Sequence, residues 1–263
     1  MFEQLRDRIK GALPPSVVHA YRVARHTTIW PCEQEMVKAR EFLDPAKVAI
    51  DVGANVGLFT TVLARRSKKV IAFEPNPSCA AHLAAVASRN CEVVAKAVSD
   101  ESGTTLLRVP TQRGIPLHAL GTIEAANLHT TEKRATSFIT YPVETITLDA
   151  LLPALSAEHL GFINIDAEGH EFGVLRGGER LLAVHRPVLL VELEYRHGAP
   201  VAEVFAWLRD HGYVAQALND RQTLGPIDAD SLRLFQDEER LQRSLAGCRQ
   251  AGYVNNIFFL PSH

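Results

Sequence analysis

The absences in this 263-residue chain narrow the field before any motif does. Its four cysteines, Cys32, Cys79, Cys91 and Cys248, are scattered without a C-x-x-C pair, so neither a zinc knuckle nor a disulfide framework is indicated. There is no run of about 18 apolar residues, and Met1 to Pro15 mixes charged with apolar side chains instead of carrying a continuous apolar core. Stable membrane insertion and a secretory leader are therefore not expected, and reduced thiols in the cytoplasm are. An excess of positive charge is missing too. With 28 Lys and Arg against 30 Asp and Glu, the chain has no electrostatic footprint for nucleic acid. What remains, at 46% hydrophobic and 22% charged residues, is the composition of an ordinary globular enzyme.

One more absence bears on the ligand. After the apolar run Lys47 to Ile50 comes Asp51-Val52-Gly53-Ala54-Asn55-Val56-Gly57, and then Phe73-Glu74-Pro75-Asn76. A strand, a glycine turn, a helix and a second strand ending in a carboxylate make a nucleoside-binding unit. Gly53 and Gly57 let the backbone turn sharply and approach a ligand closely. Glu74, 21 residues beyond Gly53, stands where a carboxylate accepts hydrogen bonds from both hydroxyls of a ribose. A dinucleotide loop, however, wants a middle glycine so that pyrophosphate can rest on backbone N–H groups, and Asn55 takes that place. Asp51 adds a negative charge near the phosphates. S-adenosylmethionine carries a ribose, an adenine, an ammonium and a sulfonium but no phosphate, so both carboxylates suit it.

From Lys47 onward apolar strands alternate with helices, the pattern of a parallel sheet. The expected strands are Val48 to Val52, Val70 to Phe73, Glu92 to Val98, Thr104 to Val109, Val143 to Leu148, Phe162 to Asp166, Val188 to Glu194, Tyr213 to Leu218 and Asn256 to Leu260, of which about seven form the core. Helices are expected over Gly57 to Arg66, Pro77 to Arg89 with Asn76 as cap, Asp149 to Leu155, Pro200 to His211 and Ala229 to Arg240. Residues 1–45 read as a helical preface broken at Pro14-Pro15 and Pro31, and 46–263 as the main domain. Within the preface Phe2, Leu5, Ile9 and Leu13 recur at helical spacing between Arg6, Arg8 and Lys10. Such a helix suits an anionic membrane surface or a packed position, and the interspersed Glu3 and Asp7 favour packing. The polar stretch Thr111 to Thr140 has no clear period and is expected to lie as a loop over the substrate pocket, burying Ile115-Pro116-Leu117 and Leu120.

Ligands of open α/β sheets gather outside the carboxyl ends of the strands. Asp51, Glu74, Asp166, Glu168 and Glu192 all fall at such ends and should converge on one crevice.

At these residues the chain resembles the FkbM-type S-adenosylmethionine-dependent methyltransferases. The motifs that carry the resemblance are Asp51 to Gly57, Phe73-Glu74-Pro75, Ala97-Val98-Ser99-Asp100, Thr147-Leu148-Asp149 and above all Ile163-Asn164-Ile165-Asp166-Ala167-Glu168-Gly169-His170-Glu171, with Asn164 where a lysine is commoner. The resemblance implies a class I methyltransferase, Rossmann-like α/β fold: a seven-stranded, mostly parallel sheet with the last strand antiparallel and helices on both faces. It also implies methyl transfer, most often to oxygen. By motif match Gly53 and Asn55 would line the methionine part of the donor, Glu74 would hold its ribose, and Ala97 and Val98, ending the third strand, would border its adenine. Glu35 would face its ammonium.

Methyl transfer from a sulfonium is an in-line displacement, so the protein chiefly holds the nucleophile in place. A hydroxyl also loses a proton, for which Asp166 and His170 are the candidate bases, with Glu168 and Glu171 behind them. His170 would equally suit a helix cap or a supporting role. Asp166 and Glu168 would alternatively bind a divalent cation, although no full ligand set is evident. The acceptor that this family habit suggests is a small molecule, glycan or glycolipid precursor. Two other readings stay open, a nicotinamide-dependent oxidoreductase and a binding module that keeps S-adenosylmethionine without turnover.

Overall fold

The computed structural model describes residues 14–24, 34–124, 137–155, 157–219, 222–245 and 252–262. The expected amphipathic helix at Phe2 to Leu13, much of the preface and the centre of the Thr111 to Thr140 stretch lie outside these residues. In chain order the described helices are α1 (Pro15–Ala24), α2 (Gln34–Ala39), α3 (Leu58–Ala64), α4 (Pro77–Val86), α5 (Glu171–Arg176), α6 (Glu179–His185), α7 (Val201–Asp210), α8 (Ala229–Phe235) and α9 (Glu238–Leu245). The strands are β1 (Val48–Val52), β2 (Lys69–Phe73), β3 (Cys91–Val94), β4 (Ala97–Val98), β5 (Gly103–Gln112), β6 (Ile115–Pro116), β7 (Ser137–Ile146), β8 (Leu160–Ile165), β9 (Val188–Glu192), β10 (Tyr213–Leu218), β11 (Leu224–Pro226) and β12 (Asn256–Pro261). No described helix is long and apolar enough to cross a membrane.

The larger sheet has eight strands in the order β11-β10-β12-β9-β8-β1-β2-β3, so the expected seven is corrected to eight. The extra strand is β11, which folds back antiparallel on β10 around Asn219, where the carboxamide oxygen accepts from the Thr223 N–H at 3.1 Å. Strands β3, β2, β1, β8 and β9 are parallel, and β12 runs antiparallel between β9 and β10. Every residue of β1 is buried, as befits a central strand covered on both faces. Successive residues face opposite ways. Ile50, Ile163, Leu189 and Val191 join one apolar cluster with Val174, Leu182 and Leu208 of α5, α6 and α7. Ala49, Phe162, Leu190 and Phe258 join another with Leu63 of α3 and Leu83 of α4. On the outer side of α3, α1 is held by buried Val23 and by the His19 ring, whose Nε2 lies 2.8 Å from Thr61 Oγ1.

Three expectations change for local reasons. The strand expected from Glu92 to Val98 breaks at Ala95-Lys96: β3 completes the large sheet, while β4 pairs with Thr145 and Ile146 of β7 in a second, four-stranded sheet ordered β4-β7-β5-β6. The helix expected at Asp149 to Leu155 is a single 3-10 turn, Leu148–Leu151, because the Asp149 carboxylate instead accepts the N–H of Leu181 at 2.8 Å at the start of α6. The helix expected from Ala229 to Arg240 divides at Gln236-Asp237. There the Gln236 amide donates to the carbonyls of Leu193 and Val254 and accepts the Tyr195 N–H, while Asp237 caps α9 through the Arg240 N–H. Satisfying those buried backbone groups outweighs helix continuity.

Phe162, beside Ala49 of β1, is fully buried and stacks on Phe59 at 6.4 Å. Phe162→Ala should cost about 3–5 kcal/mol of stability, read from the urea midpoint. A change under about 1 kcal/mol would mean that the space collapses and that this face of the sheet is not held by close packing.

Candidate active site

The carboxyl ends of β1, β2, β4 and β8 open on a cleft of about 610 Å³, continuous with solvent and lined among others by Gly53, Glu74, Val98, Asp166, Glu168 and His170. The floor is set by Gly53, at φ +79°, where an added Cβ would sit 1.7 Å from the Asp166 carbonyl oxygen. Only a glycine allows the β1 and β8 loops to meet there. Asn55 follows at φ +49°, a left-handed conformation that asparagine tolerates, and its N–H donates to Glu74 Oε2 at 2.7 Å. Glu74 Oε1 accepts the Asn76 N–H, also at 2.7 Å. Burial pushes the Glu74 carboxyl up to about 7, against the pull of these two donors and with the Asp51 charge adding to the rise.

Asp51, Gly57 and Glu35 stand apart from the cleft wall. Asp51 is fully buried below the loop, accepting from Thr60 Oγ1 at 2.5 Å and from Asn164 Nδ2 at 2.9 Å. Burial raises its pKa and the two bonds oppose the rise. Its carboxylate ties β1 to β8 and α3. Gly57, at φ +86°, precedes α3 where a Cβ would press on Leu83 Cδ1 at 2.3 Å. Glu35 lies in the first turn of α2. Ala97 and Val98 do line the cleft, from β4 instead of the end of a third sheet strand.

At the end of β8 the chain turns through Glu168 (φ +50°) and Gly169 (φ +99°). Glu171 Oε1 closes that turn by accepting the N–H groups of Ala167 at 3.1 Å and Gly169 at 2.9 Å, while its Oε2 is buried without a hydrogen-bond partner. Behind the turn Glu192 and Glu194 share the Asn255 amide, at 2.5 and 3.1 Å. Glu194 also receives Arg196 and, at 2.9 Å, the Tyr253 hydroxyl. The resulting excess of negative charge is met by proton uptake. Burial, then the neighbouring charges of Glu192 and Glu171, hold the Glu168 carboxyl well above its ordinary range. Burial, then Asp166, do the same for Glu192. For Glu194 burial is outweighed by Arg196 and the shift is downward. His197 Nε2, 3.6 Å from Glu168, has its pKa lowered to about 4, chiefly by burial, and is a neutral neighbour there. Among the described residues no three His, Cys, Asp or Glu side chains are grouped to hold a metal ion, so the divalent-cation alternative at Asp166 and Glu168 finds no ligand set.

His170 sits at the N-cap position of α5 but makes no capping bond. Its Nε2 lies 2.9 Å from Ser99 Oγ and its Nδ1 lies 3.1 Å from Glu124 Oε2. The described part of the expected covering loop crosses the cleft at His118, Gly121 and Ile123. It is fastened by Asn76 Nδ2 donating to His118 Nδ1 at 3.0 Å and by Thr122 Oγ1 donating to the Glu168 carbonyl at 2.8 Å. Ile115, expected to be buried, is 67% exposed, because it belongs to the short edge strand β6. Ser99, Glu124 and His118 were not singled out in the sequence, and Asn76 only as a helix cap. Ser99 stood in a quoted motif, and Glu124 and His118 carry no periodic or motif signal.

The family model described as the methyltransferase FkbM domain matches residues 51–215. The chain belongs to this family. Among solved structures it is similar to an FkbM methyltransferase from Methylobacillus flagellatus KT at 16% identity, covering 94% of this chain and 55% of that one with a TM-score of 0.46. It thus spans about half the length of that relative. A rRNA methylase from Streptococcus thermophilus (12% identity, 89% and 97% covered, TM-score 0.46) and a SAM-dependent methyltransferase from Aquifex aeolicus (13%, 77% and 90%, TM-score 0.40) are also similar. At these values the likenesses add nothing to the family match. No protein of curated function matches the sequence significantly.

In this FkbM chain the strained turn after β8 makes a pH-dependent contribution to stability. Burial raises the Glu171 carboxyl from 4.5 to about 7. Between those values the folded chain keeps a proton that the unfolded chain has lost, so stability is greatest at low pH and falls as pH rises through about 7, by about 3 kcal/mol. Glu171→Gln keeps an oxygen for both N–H donors and has no proton to lose. Urea midpoints of the native protein should therefore fall relative to those of Glu171→Gln between about pH 5 and 7. Parallel profiles would show that Glu171 is ionised throughout.

Proposed function

We propose that this protein is an S-adenosylmethionine-dependent methyltransferase that methylates a hydroxyl group of a small molecule, glycan or glycolipid precursor in the cytosol. The observation that carries the reading is Glu74: a cleft-facing carboxylate, held by two backbone N–H groups from the glycine turn and the β2 turn, with unfilled lone pairs for a pair of ribose hydroxyls. The same turn argues against a dinucleotide. The Asn55 N–H that would meet a pyrophosphate is already given to Glu74, and Asp166 puts a further carboxyl group on the cleft wall.

The residues present suit the donor: Gly53 and Asn55 border its methionine end, Glu74 its ribose, and Ala97 and Val98 its adenine. When bound, the sulfonium supplies an activated methyl carbon. The protein's own share is placement and charge. The carboxylate of Asp166 supplies negative potential on the cleft wall that favours a cationic ligand over a phosphorylated one. The segment His118 to Ile123 covers the cleft and limits water. An acceptor hydroxyl held against the donor forms its new oxygen–carbon bond as the carbon–sulfur pair returns to sulfur, and its proton passes to a base at the end of β8, Asp166 or His170.

Calorimetry should show binding of S-adenosylmethionine and S-adenosylhomocysteine and none of NAD, and comparable NAD affinity would sink the methyltransferase reading. Glu74→Ala should weaken binding of S-adenosylhomocysteine by about 1.5–3 kcal/mol, a loss typical for hydrogen bonds to a charged group. An unchanged dissociation constant would put the ribose elsewhere.

A further inference from the structure

We propose that His118 is a ligand-binding residue of the cleft, presenting its Nε2–H to an acceptor atom on the adenosine half of the methyl donor, with Asn76 as the positioning residue that keeps the proton on that nitrogen. The inference rests on the methyl-donor reading and adds to it a contact from the covering segment.

The proton on the ring is placed by a helix cap. Asn76 precedes α4, and its Oδ1 accepts the Ser78 N–H at 3.1 Å, which leaves the amide nitrogen for the ring. That nitrogen, Nδ2, lies 3.0 Å from His118 Nδ1. An amide NH₂ only donates, so Nδ1 is the acceptor and the neutral ring carries its proton on Nε2. Among the described residues Nε2 has no partner, and it is not shut off from solvent. His118 itself lines the cleft. A donor of fixed direction is thus offered where a ligand lies.

Asn76 also decides which end of the methyl donor is met. Its backbone N–H goes to Glu74 Oε1, whereas Oε2 takes the Asn55 N–H from the glycine turn. Glu74 therefore stands between two neighbours, with Asn55 toward the methionine end and Asn76, carrying His118, away from it. On that far side the Glu74 N–H bonds to the Val94 carbonyl at 3.1 Å, and the chain beyond Val94 supplies Lys96, Ala97 and Val98 to the cleft wall. The acceptors a bound adenosine offers there are ring nitrogens and ribose oxygens, and an N–H suits either. The covering segment is fixed well enough to aim it. Its 3-10 turn, His118–Leu120, is tied to β5 at both ends, by the Leu117 N–H to the Pro110 carbonyl at 2.8 Å and by the Thr122 N–H to the Arg108 carbonyl at 3.0 Å. Asn76 is 1% exposed, so the clamp is enclosed.

Calorimetry and ¹⁵N-histidine spectra of the whole protein test the contact. The signals lost in His118→Phe identify the ring, whose neutral form should be the Nε2–H tautomer, and S-adenosylhomocysteine should move its Nε2 signal more than its Nδ1 signal. Asn76→Asp keeps an oxygen to cap α4 but sets an acceptor against Nδ1, so the proton should pass to Nδ1. His118→Phe, which keeps a planar ring, should weaken S-adenosylhomocysteine about three- to tenfold, the range for one neutral hydrogen bond. It should weaken 5′-methylthioadenosine, which lacks the amino-acid end, by the same factor. An Nδ1–H tautomer in the native protein, or a tautomer indifferent to Asn76→Asp, overturns the role of Asn76. An Nε2 signal unmoved by S-adenosylhomocysteine, or undiminished affinity in His118→Phe, overturns the contact. A loss confined to S-adenosylhomocysteine overturns its assignment to the adenosine half. If the native protein does not bind S-adenosylhomocysteine at all, the methyl-donor reading falls and this inference with it, so the two failures are told apart.

Discussion

The contact between Gly53 and the carbonyl of Asp166 is the constraint on which the cleft depends. Neighbouring parallel strands β1 and β8 carry their loops out of the same end of the sheet, and the Asp166 N–H already bonds to the Val52 carbonyl at 3.0 Å. For both loops to turn sharply at that height, one must pass where the other's Cβ would be, and the left-handed glycine removes that Cβ. The consequence reaches both sides of the cleft. On the β1 side the chain is free to continue through Asn55 and hand an N–H to Glu74, and on the β8 side Asp166 and Glu168 are brought to the opposite wall.

Electrostatics then follow from burial. Five carboxyl groups, Asp166, Glu168, Glu171, Glu192 and Glu194, crowd the ends of β8 and β9, where Arg196 pairs with Glu194. Such a group cannot be fully ionised out of water, and the raised pKa values of Glu168, Glu171 and Glu192 are its response. Asp51 shows a second solution to the same problem. Burial raises its pKa as well, but Thr60 and Asn164, two neutral donors, oppose the rise and give its oxygens partners. The asparagine that departs from the family pattern is therefore the partner of the first acidic residue in the glycine motif.

The parts of this architecture legible in the sequence are those that local chemistry dictates. Apolar runs gave β1, β2 and β8 nearly to the residue, since a strand buried on both faces has few other ways to be written. Asn76 and Pro77 marked the start of α4 because capping is a local bargain between one side chain and one N–H. The placement of Glu74, Asp166, Glu168 and His170 on one cleft follows from strand ends in a parallel sheet. The rest was decided at a distance. Nothing in Asp149 announces that its carboxylate will be taken by α6, nothing in Gln236 announces three backbone partners 18 to 43 residues away, and the split of Glu92 to Val98 between two sheets depends on β7.

The second sheet matters for the same reason. By pairing with β7, β4 lifts Ser99 out of the large sheet and sets it beside α5, while β5 and its return through Thr122 bring Glu124 over the cleft from the other side. Ser99 and Glu124 thus reach His170 from positions 71 and 46 before it in the chain. A sequence motif can carry the histidine and the turn that presents it. What its two nitrogens touch is a property of the two sheets together, which is why the D-x-E-G-H-E block names the histidine and the fold is needed to supply Ser99 and Glu124 beside it.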